Sequence, residues 1–171
     1  METWDAIRAR RQVRSFTDQP VKPEDLDRIL EAGRRAPSAA NRQWWDFVVV
    51  TDKAQQQELS KVWQGAAFTA GAAATIALVA PVPEDPHGER MIHFDLGQAA
   101  MQMLIAAAGL GIGTGLASAT DQDLARRVLG LPEDRALAFV IGVGYPADRP
   151  LKPMVKPKRR PFEEVVHRGR W

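Results

Sequence analysis

Apolar residues recur along this chain at two spacings, and each spacing predicts a different kind of element. The stripe Leu26, Ile29, Leu30 and Gly33 follows Pro23 and the acidic pair Glu24-Asp25, which predicts a helix with a proline at its start and a favourable first-turn charge. A longer helical repeat, Leu96, Ala99, Ala100, Met103, Leu104 and Ala107, marks a helix from His93 to Ala108, and its alanines permit close packing. Thr3–Arg10 and Lys53–Trp63 read as further helices. Thr120 is expected to cap another from Asp121 to Leu129, ended by Gly130. Unbroken apolar runs at Phe47–Val50, Thr75–Val79 and Ala136–Gly144 instead predict three buried strands. Gly109–Gly115 stops the long helix ahead of a short extended piece, and Pro83–Arg90 reads as an exposed loop.

These elements assemble most simply as one α+β domain over residues 1–171, a small sheet flanked by helices, with neither an internal repeat nor a linker. The exception is the tail, residues 151–171. It is rich in proline and basic residues and has too few apolar positions to build its own core, so it is expected to lie on another surface. The apolar stretches Ala66–Ala80 and Ala99–Gly115 are shorter than the ~20 residues of a membrane span. No apolar segment follows Arg8, Arg10 and Arg11 as in a secretory leader, which predicts a cytoplasmic protein without a membrane partner.

The chain has no cysteine. That excludes disulfides, thiolate zinc sites, iron–sulfur clusters and a cysteine nucleophile, so any redox chemistry needs a bound cofactor. His87, His93 and His167 are too scattered to suggest a metal site, and Asp95 reads as helix surface.

Net charge is only +2, yet cations gather at Arg8, Arg10, Arg11 and Arg14 and again at Lys152, Lys156, Lys158, Arg159, Arg160, Arg168 and Arg170. Neither cluster has the interleaved aromatics of a nucleic-acid platform, so a small phosphate fits better than DNA or RNA. Guanidinium forks in Arg10-Arg11-Gln12-Val13-Arg14-Ser15-Phe16 would match phosphate oxygens; the other reading is a solvated helix terminus. The segment Pro37-Ser38-Ala39-Ala40-Asn41-Arg42-Gln43 offers the donors and acceptors that the edge of a planar heterocycle needs, or is simply a turn. Gly109-Leu110-Gly111-Ile112-Gly113-Thr114-Gly115 is not a dinucleotide loop, because it follows a helix and precedes an extended piece. The tryptophans, Trp44-Trp45 among them, read as core or interface anchors.

In order along the chain, Arg10–Phe16, Ala36–Trp45, Gly109–Thr114 and Lys158–Val166 resemble the nitroreductase family across nearly the whole length. The resemblance implies a small central mixed β-sheet flanked by helices in an intertwined homodimer, with the 151–171 tail on the partner subunit. By the same likeness, Arg10, Arg11, Gln12 and Arg14 would hold FMN phosphate and ribityl, and Lys158, Arg159 or Arg160 would close on the phosphate. Pro37, Ser38, Ala39, Asn41 and Gln43 would come from the other subunit, while the backbone of Leu116, Ala117, Ser118 and Ala119 would face the reactive ring nitrogen. NAD(P)H would reduce the flavin and a nitroaromatic, quinone or similar small molecule would reoxidise it in ping-pong turns, with no obligatory catalytic side chain. Two positions depart from the family pattern: Trp44 stands where proline is usual and Gly115 where cysteine is common. Residues 81–90 also leave little room for a covering insertion. A flavin-binding or storage protein without catalysis, or a relative performing reductive dehalogenation or flavin fragmentation, would use the same binding residues.

Overall fold

A computed structural model describes all 171 residues, Met1–Trp171. Helix α1 (Thr3–Ala9) and helix α2 (Pro23–Arg34) precede strand β1 (Asp46–Val50), helix α3 (Lys53–Leu59) and strand β2 (Ala74–Pro81). The long helix α4 (Pro86–Gly109), strand β3 (Gly113–Ser118), helix α5 (Gln122–Leu129) and strand β4 (Arg135–Gly144) follow. Short 3-10 turns lie at Ala39–Asn41, Ser60–Val62, Gln64–Gly71 and Phe162–Glu164.

The sheet order is β1-β2-β4-β3, and every neighbouring pair is antiparallel. This corrects the expected mixed sheet. Parallel pairing survives only as an isolated bridge between Gln12 and Thr114. The next outward main-chain donor, Leu116 N–H, is taken by the Gln12 side chain rather than by a further rung.

Helices cover both faces of the sheet. Ile76, Leu78 and Ala80 of β2 pack with Ile29 of α2 and Leu96, Ala99 and Met103 of α4. The intervening Ala77 and Val79 face the opposite way, toward Leu59, Val62 and Ala125. Burial on both faces is why β2 reads as a continuous apolar run rather than an alternating one.

Helix boundaries bring two further corrections, and the burial of one side chain a third. The helix α4 starts at Pro86, inside the stretch expected to be a loop, because the Asp85 carboxylate accepts from Gly88 N at 2.7 Å and proline suits the first helical position. Asp121, not Thr120, caps α5 by accepting from Leu124 N at 2.9 Å, while Thr120 Oγ1 donates to the Val62 carbonyl. Gly130 ends α5 in the left-handed conformation, as expected. Asp95 is not surface: it is 1% exposed.

No helix is long and apolar enough to cross a membrane.

Candidate active site

The outer edge of β3 is met by the segment that leaves α1. Val13 N donates to Thr114 O at 2.9 Å, and Leu116 N donates to Gln12 Oε1 at 2.8 Å. This stitching requires glycine beneath it. A Cβ on Gly113 would sit 2.8 Å from Val13 Cγ2, and one on Gly115 would overlap the Val13 carbonyl oxygen. The departure from cysteine at position 115 thus has a local cause. Ala119 N donates back to Ala138 O of β4, so by alternation the N–H groups of Leu116 and Ser118 face the outer edge and that of buried Ala117 faces the sheet.

The cations of this segment divide into two kinds. Arg11 is committed within its own chain, donating to Asp148 Oδ1 at 2.7 Å and to the Arg149 carbonyl at 2.8 Å. The Arg11 guanidinium also holds the Asp148 carboxyl below the usual carboxylate range. Arg10 and Arg14, by contrast, have no carboxylate partner. Arg10 forms the C-cap of α1 and is half-buried, whereas Arg14 is exposed with its guanidinium carbon 5.9 Å from the Phe68 ring centre.

The loop Pro37–Gln43 is built differently. Ala40, Asn41 and Gln43 all adopt left-handed φ values of 50°, 55° and 51°, which L side chains take up at a cost. Ser38 closes the loop on itself: its carbonyl accepts from Asn41 N at 3.0 Å and its hydroxyl oxygen from Gln43 N at 2.9 Å. Gln43 Nε2 donates to the Asn41 carbonyl at 3.1 Å. Ala39 N donates to Asp95 Oδ2 at 3.0 Å. Asp95 was expected at the helix surface, although extending the helical stripe back from Leu96 and Ala99 puts it on the buried face.

Within one chain these two groups stay apart. No hydrogen bond or salt bridge joins the Arg10–Arg14 segment to the Pro37–Gln43 loop. The loop's Ala39, Ala40 and Arg42 line a cavity of about 520 Å³ with Trp44, Val82 and Ile92. Arg14 instead borders a hollow of about 490 Å³ with Trp63, Gln64, Gly65 and Phe68. Lys158, Arg159 and Arg160 are exposed on the tail, where Arg160 donates to the Glu164 side chain at 3.3 Å and carbonyl at 2.9 Å. The tail touches its own chain sparingly, with Met154 N donating to Arg8 O.

Residues 7–81 and 60–145 match the nitroreductase family, which together takes in well over half of the chain. The chain belongs to the nitroreductase family. An Archaeoglobus fulgidus relative is 31% identical over 169 residues, covering 96% of both chains. The Bacillus subtilis protein named FMN reductase [NAD(P)H] is 30% identical over 179 residues, covering 92% of this chain and 69% of its own. Among solved structures, the NADPH:FMN oxidoreductase of Vibrio harveyi, complexed with NAD+, aligns with a TM-score of 0.83 at 28% identity. That alignment covers 97% of this chain and 76% of the Vibrio chain.

Against the nitroreductase family pattern, Trp44 is the second local departure. Its ring packs on the core shared by α2, α4 and the sheet, and Arg42 lies over it with the guanidinium carbon 5.1 Å from the ring centre. The indole N–H is buried without a partner. Trp44 therefore widens the apolar wall of the loop's cavity where a proline would only turn the chain.

Proposed function

We propose that this chain is an NAD(P)H-dependent FMN oxidoreductase acting as a two-fold dimer. The flavin lies between Arg10, Gln12 and Arg14 of one copy and Pro37, Ser38, Ala39, Asn41 and Gln43 of the other. The observation that carries this reading is the outer edge of β3, where Leu116 N–H faces outward and the flanking Arg10 and Arg14 lack carboxylate partners. That donor set fits a phosphate at one end of a ligand and a ring nitrogen at the other. It is joined by relatives named for FMN and complexed with NAD+.

In this arrangement Arg10 and Arg14 neutralise the phosphate, with Lys158, Arg159 or Arg160 of a tail closing over it. Arg11 anchors the start of that tail through Asp148 instead of binding phosphate itself. Gln12 exchanges its bond to Leu116 N for one to the ribityl chain, freeing Leu116 N–H for the ring edge, with Ser118 N–H alongside. The backbone and side chains of the Pro37–Gln43 loop supply the donors and acceptors for the pyrimidine edge. Bound FMN supplies the redox chemistry, accepting hydride from NAD(P)H and passing electrons to a nitroaromatic, quinone or similar acceptor in ping-pong turns.

A second copy is supported by what one chain leaves uncovered. Phe94, Gly97 and Met101 lie at i, i+3 and i+7 on the outer face of α4, with Phe94 63% and Met101 44% exposed. Trp4 and Ile7 lie at i and i+3 on α1, the neighbouring helix, and Phe162, Val165 and Trp171 are bare on the tail. Burying such side chains stabilises by roughly 1.5–3 kcal/mol each.

The test is direct. The purified protein is expected to be yellow, to release FMN rather than FAD on heating, and to oxidise NAD(P)H when a nitroaromatic or quinone is added. Recovery of FAD alone, or no flavin after reconstitution with FMN, overturns the reading.

A further inference from the structure

Asp95 is a carboxylate placed where an apolar side chain is expected. It lies on the buried stripe of α4 between Ile92 and Ala99 and is 1% exposed. No arginine, lysine or histidine pairs with it. A carboxylate withdrawn from water without a cation is unfavourable unless its oxygens accept hydrogen bonds, and Asp95 has two such donors. Ala39 N lies 3.0 Å from Oδ2 and Gln98 Nε2 3.4 Å from Oδ1.

The Ala39 bond has a special standing. Every other hydrogen bond of residues 38–43 closes within the loop, to Ser38, Ala39 or Asn41. The bond to Asp95 is the one that ties these residues to the body of the protein. It sits immediately before Ala40 and Asn41, whose left-handed conformations need surrounding structure to hold them.

We infer that Asp95 is a positioning residue: by gripping Ala39 N–H it sets the strained loop at the height and angle at which its polar groups meet the flavin ring. This rests on the proposed FMN site, but the grip itself is measurable without flavin. An acceptor oxygen is what the geometry requires, so asparagine should serve in its place, whereas leucine fills the volume and leaves the N–H unpaired.

The experiment compares wild type with Asp95→Asn and Asp95→Leu. In flavin-free protein, hydrogen–deuterium exchange of the peptide carrying residues 38–43 is expected to accelerate in Asp95→Leu and to stay near wild type in Asp95→Asn. With FMN added, Asp95→Leu should bind at least about 10-fold more weakly. Its bound flavin should also lose the wild-type visible circular-dichroism band, and Asp95→Asn should keep it. A folded Asp95→Leu with wild-type loop exchange overturns the inference, as does an Asp95→Asn that loosens the loop as much as leucine. If Asp95→Leu does not fold, Asp95→Ser replaces it, since its hydroxyl stops short of Ala39, and the same exchange outcome decides. Loosened exchange in a protein that binds no FMN would instead leave the grip standing and overturn the proposed function.

Discussion

Gln12 and Val13, just ahead of Arg14, are stitched to a sheet edge by side-chain and main-chain bonds over two tightly fitted glycines, while Ser38–Gln43 forms a self-closed knot with three left-handed non-glycine residues and one outside tie. The first segment inherits its position from the sheet through the Val13 main-chain bond, so its backbone is as firm as β3 while the Gln12 side chain can exchange partners. The second holds an unfavourable backbone conformation that only its packing and Asp95 maintain. A site assembled from both would have one wall set by the fold and one set by a clamp. Overpacking beneath the first should therefore cost stability, and loss of the Asp95 clamp should disturb ligand geometry in the second.

The sharpest way to break this contrast is to separate the two walls between chains. Arg14→Ala should weaken FMN binding on the order of 10- to 150-fold, the effect of losing a charged hydrogen bond of roughly 1.5–3 kcal/mol. A co-expressed heterodimer with Arg14→Ala in one copy and Asn41→Ala in the other should recover one intact site, visible as flavin content above the average of the two mutant homodimers. No recovery would place both walls in a single chain.

Next in size is Gly115→Ala, in which the new methyl meets the Val13 carbonyl. Overpacking of this kind destabilises by about 1–3 kcal/mol, a fall of several degrees in Tm by calorimetry. An unchanged Tm would mean the stitched edge is softer than its geometry implies.

Smaller and opposite in sign is Ala40→Gly. Glycine takes φ near 50° freely, but it also gains freedom when unfolded, so the net gain should be no more than about 1 kcal/mol. For a chain of this size that raises Tm by about 2–4 °C, whereas a fall would show that the loop is not strained there.

The smallest effect lies outside both walls. Arg34 and Arg35 hydrogen-bond Glu31 and lower its carboxyl from its ordinary 4.5 to about 2. A depressed carboxyl contributes stability that is present above pH 4.5 and fades as pH falls toward 2. NMR titration of Glu31 should give a midpoint near 2. A midpoint near 4.5 would mean that these exposed pairs are dissolved by solvent.

What the sequence made legible follows the same division. The strands were readable because burial leaves unbroken apolar runs, the core stripe of α4 because one buried helix face imposes a period, and Gly130 because its left-handed conformation is a glycine's. The mixed sheet was an expectation carried by the family resemblance, and the pairing direction within this chain depends on partners distant in sequence that no local pattern displays. The start of α4 was missed because its first turn carries Pro86, His87 and Gly88, which show no apolar period, although Asp85-Pro86 was a usable cap signal. Arg11 looked like its neighbours, yet its partner Asp148 lies 137 residues away and no local pattern could reveal it. The left-handed loop was hidden because alanine and glutamine do not advertise such a conformation, and Asn41, which tolerates it, stands alone between them.

One strand lies at the centre of both cores. Ile76 and Leu78 belong to one, Ala77 and Val79 to the other, and all four are within 2% of complete burial. Neither helical layer can melt away without exposing side chains on the strand that the other layer needs intact. Residues 76–79 thus act as a common hinge pin for the whole molecule, and the two cores should be lost together in a single cooperative transition.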